Sequence, residues 1–412
     1  MNRGWATTVA VLSVALGPFD PASASDTGAS LVQRGRYIAT AGNCASCHTR
    51  NGGGALAGGV AFKTPFGTVY SMNITPDKAT GIGNWTREQF LESLRRGVRP
   101  NGDNLYPVFP YTAFTKVSDE DANALFAYLK SVPAVRAEVP QNEMRFPFNQ
   151  RMLLSFWKMM FLDAGGYEPD KTKSAEWNRG AYLVEGLGHC SACHSPRSFL
   201  GAEQRSSRMT GGEYVGEVRA GTFRVWSAPN LTSAKSGLGS WTVEDLAAYL
   251  QTGRNSFMET FGPMNEVIMN STRHLSEADT HAMAVYLKSL PASEPDIQPA
   301  ASAQTLQAGA TLYDLHCGTC HLPSGLGAQN EDSGARLAGS PEVQASNPAA
   351  LINIILHGPE PPQPPLPKRW KPMEGFSDKL TDEEVAALAS YVRNAWGNAA
   401  GAVNANQVAK QR

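Results

Sequence analysis

Cys44-Ala-Ser-Cys47-His48, Cys190-Ser-Ala-Cys193-His194 and Cys317-Gly-Thr-Cys320-His321 together hold all six cysteines of the chain. Each reads C-x-x-C-H, the attachment signature of c-type haem. Two thiols three positions apart on an opening helical turn reach the two vinyl groups of one porphyrin, and the adjacent imidazole falls beneath the iron as proximal ligand. At this chain's Cys and His frequencies such a pentapeptide is expected by chance about 0.002 times. Three copies are therefore not accidental. Zinc or redox-disulfide readings leave the three histidines in register unexplained, and zinc would want a second C-x-x-C pair nearby. The pattern calls for three covalently bound haem c groups, attached at Cys44, Cys47, Cys190, Cys193, Cys317 and Cys320, with His48, His194 and His321 as proximal ligands.

The rest of the composition agrees with folded domains. The 412 residues are 42% hydrophobic and 18% charged, and 36 Lys and Arg nearly cancel 37 Asp and Glu. No global field or basic run attracts a polyanion, so nucleic acid is not an expected partner. Met1 to Arg3, the apolar stretch Trp5 to Leu16 and Ala22-Ser23-Ala24 read as an export signal over residues 1–24. Export fits the motifs, because c-type haem is attached outside the cytoplasm. No later stretch is long and apolar enough for a transmembrane helix, so a periplasmic protein, peripheral on the outer side of the cytoplasmic membrane, is expected.

A repeat surrounds the motifs. Before each lies a helical pattern with a small residue and an aromatic, Gly35 with Tyr37, Gly180 with Tyr182, and Gly309 with Tyr313. After each comes an amphipathic helix, at Asp119–Lys130, Glu277–Lys288 and Asp382–Asn394, with Ser118, Ser276 and Thr381 as N-caps. The first two repeats also share Asn73-Ile-Thr with Asn230-Leu-Thr, Gly81-Ile-Gly-Asn-Trp85 with Gly237-Leu-Gly-Ser-Trp241, and a short helix ending at Gly97 or Gly253. These patterns divide the mature chain into domain 1 (25–132), a linker with an apolar helix (133–176), domain 2 (177–290), a Pro/Ala/Ser linker (291–304), domain 3 (305–397) and a C-terminal tail (398–412). The apolar helix, within Phe146–Leu162, is apolar almost all round and reads first as a buried packing helix, with a partner or membrane-surface contact as the alternative.

Sixth ligands follow in part from methionine placement, since a thioether opposite His raises a haem potential. Met373 is the single Met after the third motif. In the second repeat Met264, in a turn after Gly262-Pro263, is preferred over Met209, Met258, Met269 and Met283, which read as core. At the matching distance before Tyr128 the first repeat has Phe109, which cannot bind iron. Met72, the single Met between His48 and Lys130, becomes its candidate, against an open or otherwise ligated site. His189 and His316 read as surface or propionate-side residues rather than ligands, and His274, His281 and His357 as structural. Lys368-Arg369-Trp370-Lys371 reads as a basic docking rim or a solvated loop.

The three motifs, Asn73-Ile-Thr-Pro-Asp77, Thr80-Gly-Ile-Gly-Asn-Trp85, Phe146-Pro-Phe-Asn-Gln-Arg151, Gly262-Pro-Met264 and Tyr391-Val-Arg-Asn-Ala-Trp-Gly397 closely resemble the three-haem cytochrome c subunits of bacterial membrane-associated dehydrogenases. The resemblance covers nearly the whole mature chain. It implies a mainly α protein of three tandem class I cytochrome c domains, each wrapping one haem, with Met264 and Met373 as distal ligands. It also implies electrons taken from a catalytic subunit, a quinoprotein, flavoprotein or molybdenum hydroxylase, and passed to ubiquinone or the respiratory chain with its terminal oxidase. Phe109 departs from the methionine of many alcohol dehydrogenase cytochromes, and Tyr106-Pro-Val-Phe-Pro-Tyr111 resembles the molybdenum hydroxylase branch more. The chain shows no catalytic constellation of its own. The competing readings are a haem enzyme of peroxidase or oxidase type at an open first haem, and a free periplasmic shuttle.

Overall fold

The structure, a computed structural model, describes residues 28–219, 221–295, 299–328, 330–367 and 369–412. The expected export signal (1–24) and Lys368 lie outside the described residues. The architecture is mostly helical, with two small sheets. The first repeat contains α1 (Gly28–Ala41), α2 (Cys44–His48), β1 (Ala61–Thr64), β2 (Gly67–Tyr70), α3 (Arg87–Arg96), α4 (Tyr111–Phe114) and α5 (Asp119–Ser131). β3 (Glu143–Met144) and α6 (Leu153–Phe161) follow. The second repeat holds α7 (Ala175–Tyr182), α8 (Ser191–His194), β4 (Gly212–Arg219), β5 (Thr222–Ala228), α9 (Val243–Thr252), α10 (Met264–Asn270) and α11 (Glu277–Lys288). The third comprises α12 (Ala303–His316), α13 (Gly318–His321), α14 (Ala349–His357), α15 (Asp382–Asn394) and α16 (Ala405–Ala409).

Each repeat is built on one helix crossing, α1 on α5, α7 on α11 and α12 on α15. The small residue noted in the sequence sits at the crossing. A Cβ on Gly35, Gly180 or Gly309 would lie 1.9, 1.9 or 2.2 Å from the carbonyl oxygen of Ala124, Ala282 or Ala387. Only glycine lets the two backbones approach this closely. The closing helices start as their sequences dictate: Ser118, Ser276 and Thr381 side chains accept from the backbone N–H three residues on. α7 does not end cleanly but runs into a π-helical turn, Leu183–Leu187, that accommodates one more residue between Gly180 and Cys190 than the first repeat has between Gly35 and Cys44.

The hairpins were not expected. β1 and β2 pair antiparallel with Thr64 opposite Gly67, and β3 adds to β2, returning the linker to the first repeat. β4 and β5 pair from Gly212 opposite Ala228. Repeats one and two share one continuous apolar core, in which Ile38, Val117 and Leu125 pack with Leu183, Val184 and Met283. The third repeat has its own, around Tyr313, Leu356, Val385 and Leu388. Residues 398–412, expected as a tail, join that core: Val403 and Val408 are buried and Arg412 pairs with Asp382 at 2.7 Å.

The first two repeats are locked reciprocally. Tyr37 donates its hydroxyl to Asp279 (2.5 Å) and accepts from Ser276 N, while Tyr182 donates to Asp121 (2.6 Å) and accepts from Ser118 N. Arg34 pairs with Asp121 and Arg179 with Asp279 within each repeat. The third repeat attaches differently, through β5 and α14: Arg224 pairs with Glu360 at 2.6 Å, Asn353 donates to Val225 O, and Ser227 donates to Glu342.

α6 corrects an expectation. Trp157 alone is buried, donating Nε1 to Leu200 O and meeting the edge of Tyr111. Around it Phe146 (80% exposed), Met152 (74%), Phe156 (59%) and Met159 (82%) face outward. No helix among the described residues is long and apolar enough to cross a membrane.

Candidate haem-binding sites

The three C-x-x-C-H histidines are treated alike. His48 Nδ1 donates to Met72 O (2.7 Å), His194 Nδ1 to Pro229 O (2.8 Å) and His321 Nδ1 to Ala335 O (2.7 Å). A carbonyl only accepts, so each ring carries its proton on Nδ1 and offers the Nε2 lone pair to a metal. Burial pushes all three imidazoles down, which keeps them neutral.

The carbonyls are themselves fixed. Asn73, next to Met72, accepts from Thr75 N and Thr75 Oγ1 and donates to Val135 O (2.7 Å) and Thr80 Oγ1. Asn230, next to Pro229, accepts from Thr232 N and donates to Ser293 O (2.8 Å). Both asparagines are buried. The shared Asn-x-Thr motif is thus a staple that holds the histidine's acceptor. The third repeat lacks it and instead lays Gly334 flat on the ring: a Cβ there would come within 2.7 Å of His321.

Zinc binding and disulfide exchange both run through thiolates, and four of the six thiols are held from that form. Burial pushes Cys44, Cys47, Cys190 and Cys317 up to about 12, far from the thiolate form those chemistries need. No disulfide joins them, and among the described residues no group of three His, Cys, Asp or Glu side chains converges to hold a metal ion.

Around the second motif the residues present fit a porphyrin. Cys190, Cys193 and His194 open into a cavity walled by Leu231, Trp241, Leu250 and Leu287, with Met264 lining it as well. Trp241 Nε1 is buried there with no partner, a donor suited to a propionate carboxylate. Met264 opens α10 immediately after Pro263. In the third repeat Met373 packs against the apolar core, and its loop is tied back by Lys371 N to Ser333 O, two residues before the acceptor of His321.

The first site differs. Leu105 N donates to Gly97 O (2.7 Å) as Thr260 N donates to Gly253 O (2.7 Å), each glycine being a left-handed helix end. Counting four residues on from each donor aligns Phe109 with Met264. Met72 is not brought opposite His48: its backbone lies at the Nδ1 edge of that ring, away from Nε2.

The candidate sites adjoin one another. Cys47 and Cys193 line one cavity with Tyr214 and Glu266, and His189 meets the Phe114 ring edge-on at 5.5 Å. Between the second and third sites, Arg336, which follows Ala335, lies 4.9 Å over the Phe257 ring, and Phe257 stacks on Trp241 at 5.4 Å. Sequence reasoning named the cysteines and histidines but missed this aromatic bridge and the backbone acceptors.

Two stretches, residues 32–133 and 306–396, match the cytochrome c family model. The chain is 42% identical, over 92% of its length, to a nicotinate dehydrogenase subunit of Pseudomonas putida, of which it spans only 31%. It is 38% identical to the gluconate 2-dehydrogenase cytochrome c subunit of Pantoea cypripedii, covering 98% of this chain and 94% of that one. To the fructose dehydrogenase cytochrome subunit of Gluconobacter japonicus it is 37% identical, over 98% and 88%. With identities of 37–42% over 92–98% of its length, the chain belongs to the family of cytochrome c subunits of dehydrogenases.

Proposed function

We propose that the chain carries three haem c groups in three tandem cytochrome c domains and relays electrons singly from a dehydrogenase catalytic subunit to ubiquinone or a terminal oxidase. Thioether bonds form at the six cysteines, with His48, His194 and His321 as proximal ligands and Met264 and Met373 opposite the second and third. Haem, when bound, supplies the one-electron chemistry. The residues of the chain orient it: each Nδ1 bond fixes a neutral imidazole, the apolar walls exclude water, and the thioethers raise the potentials they face. The observation that carries the reading is the threefold recurrence of a buried histidine tied through Nδ1 to a backbone carbonyl.

The connected order of the sites supports a relay. Cys47 and Cys193 share a cavity, and Phe257 with Trp241 spans the second and third sites. The names of the relatives, subunits of nicotinate, gluconate and fructose dehydrogenases, support a dehydrogenase catalytic subunit as partner, here taken as a quinoprotein, flavoprotein or molybdenum hydroxylase. Periplasmic placement with peripheral membrane contact fits the outward apolar face of α6, an interfacial rather than spanning helix.

Native isolation of the haem-loaded chain from membranes tests this. A co-purifying subunit with its own quinone, flavin or molybdopterin, and haems reduced by that subunit's substrate, is expected. A chain that comes away alone, with haems reduced by generic donors only, would refute the relay.

A further inference from the structure

We infer that the iron bound at Cys44, Cys47 and His48 has no side-chain ligand on the face opposite His48, and that this face takes a small neutral ligand of the carbon monoxide or nitric oxide class. The inference rests on the haem attachment proposed above. Met72 is on the wrong side. Its carbonyl accepts from His48 Nδ1 at 2.7 Å, so its backbone lies beyond the imidazole from the iron. A methionine sulfur stands three bonds from Cα and cannot pass round the porphyrin rim to the other face. Pro229 holds the equivalent place for His194.

Counted from the Gly97 and Gly253 helix ends, the register of Met264 falls on Phe109. Phe109 packs on Phe114 at 5.4 Å, and Phe114 in turn meets His189 at 5.5 Å. The Phe114 ring thus stands between Phe109 and the His189 imidazole. Residues 28–132 contain no other His or Met. Nor is an amine available: Lys116 is paired with Glu185, Lys130 donates to Gly83 O, Lys63 lies over the Phe223 ring, and Lys78 is exposed. Tyr106 donates its hydroxyl to Phe148 O, and Tyr111 packs toward Trp157. Phe109 and Phe114 offer no hydrogen-bond donor, so an anion entering between them would be desolvated without compensation, whereas a neutral diatomic would not.

Carbon monoxide titration of the dithionite-reduced, full-length haem-loaded protein tests this, with electron paramagnetic resonance of the oxidised form and intact mass for haem count. Expected are one CO bound per three haems and one high-spin signal in three. Phe109→Met should make that haem low-spin and abolish CO uptake, while Met72→Leu should change neither. Three haems by mass with all three low-spin and no CO uptake overturns this inference and leaves the relay untouched. A CO site that arises only in Met72→Leu overturns it too, by showing that Met72 was the ligand. A mass of two haems, with Cys44 and Cys47 unmodified, overturns it together with the attachment on which it rests.

Discussion

Glu342 shows how much a single buried carboxyl can impose. It is nine-tenths buried between the second and third repeats, accepts from Ser227 Oγ at 3.1 Å, and burial pushes it up to about 7 against the opposing pull of Ser227 and the Arg393 guanidinium. A raised carboxyl stabilises the fold fully below its unfolded value of about 4.3 and loses that contribution as pH rises through the folded value. Thermal stability is therefore expected to fall between about pH 4.5 and 7, and Glu342→Gln, which keeps the Ser227 bond, should flatten the curve there; an unchanged slope in a pH series of melting curves would count against it. Residues of this kind were illegible in the sequence, where Glu342 is one acid among many. The six cysteines and three histidines were legible because chemistry fixes their spacing locally. Asn73 and Asn230 fall between these cases. Their recurrence was visible, but their purpose was not, because it depends on carbonyls that the chain brings to His48 and His194 only by folding.

At the level of elements, periodicity and caps announced the closing helices, whereas the glycine before each motif was visible only as a small residue, its place at a helix crossing depending on the fold. Gly180→Ala would thrust a methyl to within 1.9 Å of the Ala282 carbonyl and part the two helices. Overpacking of this sort costs about 1–3 kcal/mol or more, so a lower melting temperature and reduced haem content are expected. Gly165→Ala, with nothing within 4 Å, serves as the neutral control. The hairpins went unread because neither segment alternates cleanly between apolar and polar residues: β1 and β2 lie half-buried, with Val69 the sole buried residue of the pair. α6 was misread for the opposite reason. A helix apolar all round reads as buried wherever pattern is the only guide, yet here Trp157 alone turns inward. Replacing Phe156 and Met159 with serine should leave the melting temperature and haem spectra intact while reducing co-flotation with anionic phospholipid vesicles. Undiminished flotation would place the membrane contact elsewhere.

For the molecule as a whole, the joints between repeats are unequal. Burial works against ionisation of Asp279, but the Arg179 guanidinium and the Tyr37 hydroxyl outweigh it and hold the carboxyl below its ordinary range. A depressed carboxyl contributes stability above its unfolded value and loses it as pH falls through the folded one. Loosening of the first two repeats is therefore expected below about pH 4. Asp279→Asn should already be weakened at neutral pH and should respond less to acid, as followed by hydrogen exchange of α1 and α11. The third repeat, held by Arg224, Asn353 and Glu342, shares none of these contacts. Tyr37 reaching Asp279 while Tyr182 reaches Asp121 is the isologous arrangement of a two-fold homodimer, written into one polypeptide. Such a pairing closes on itself and consumes both copies of its surface, leaving no identical face on which another repeat could be added in series. Growth of this architecture by further duplication is thereby capped, and a third unit could join only by evolving an unrelated seam of its own.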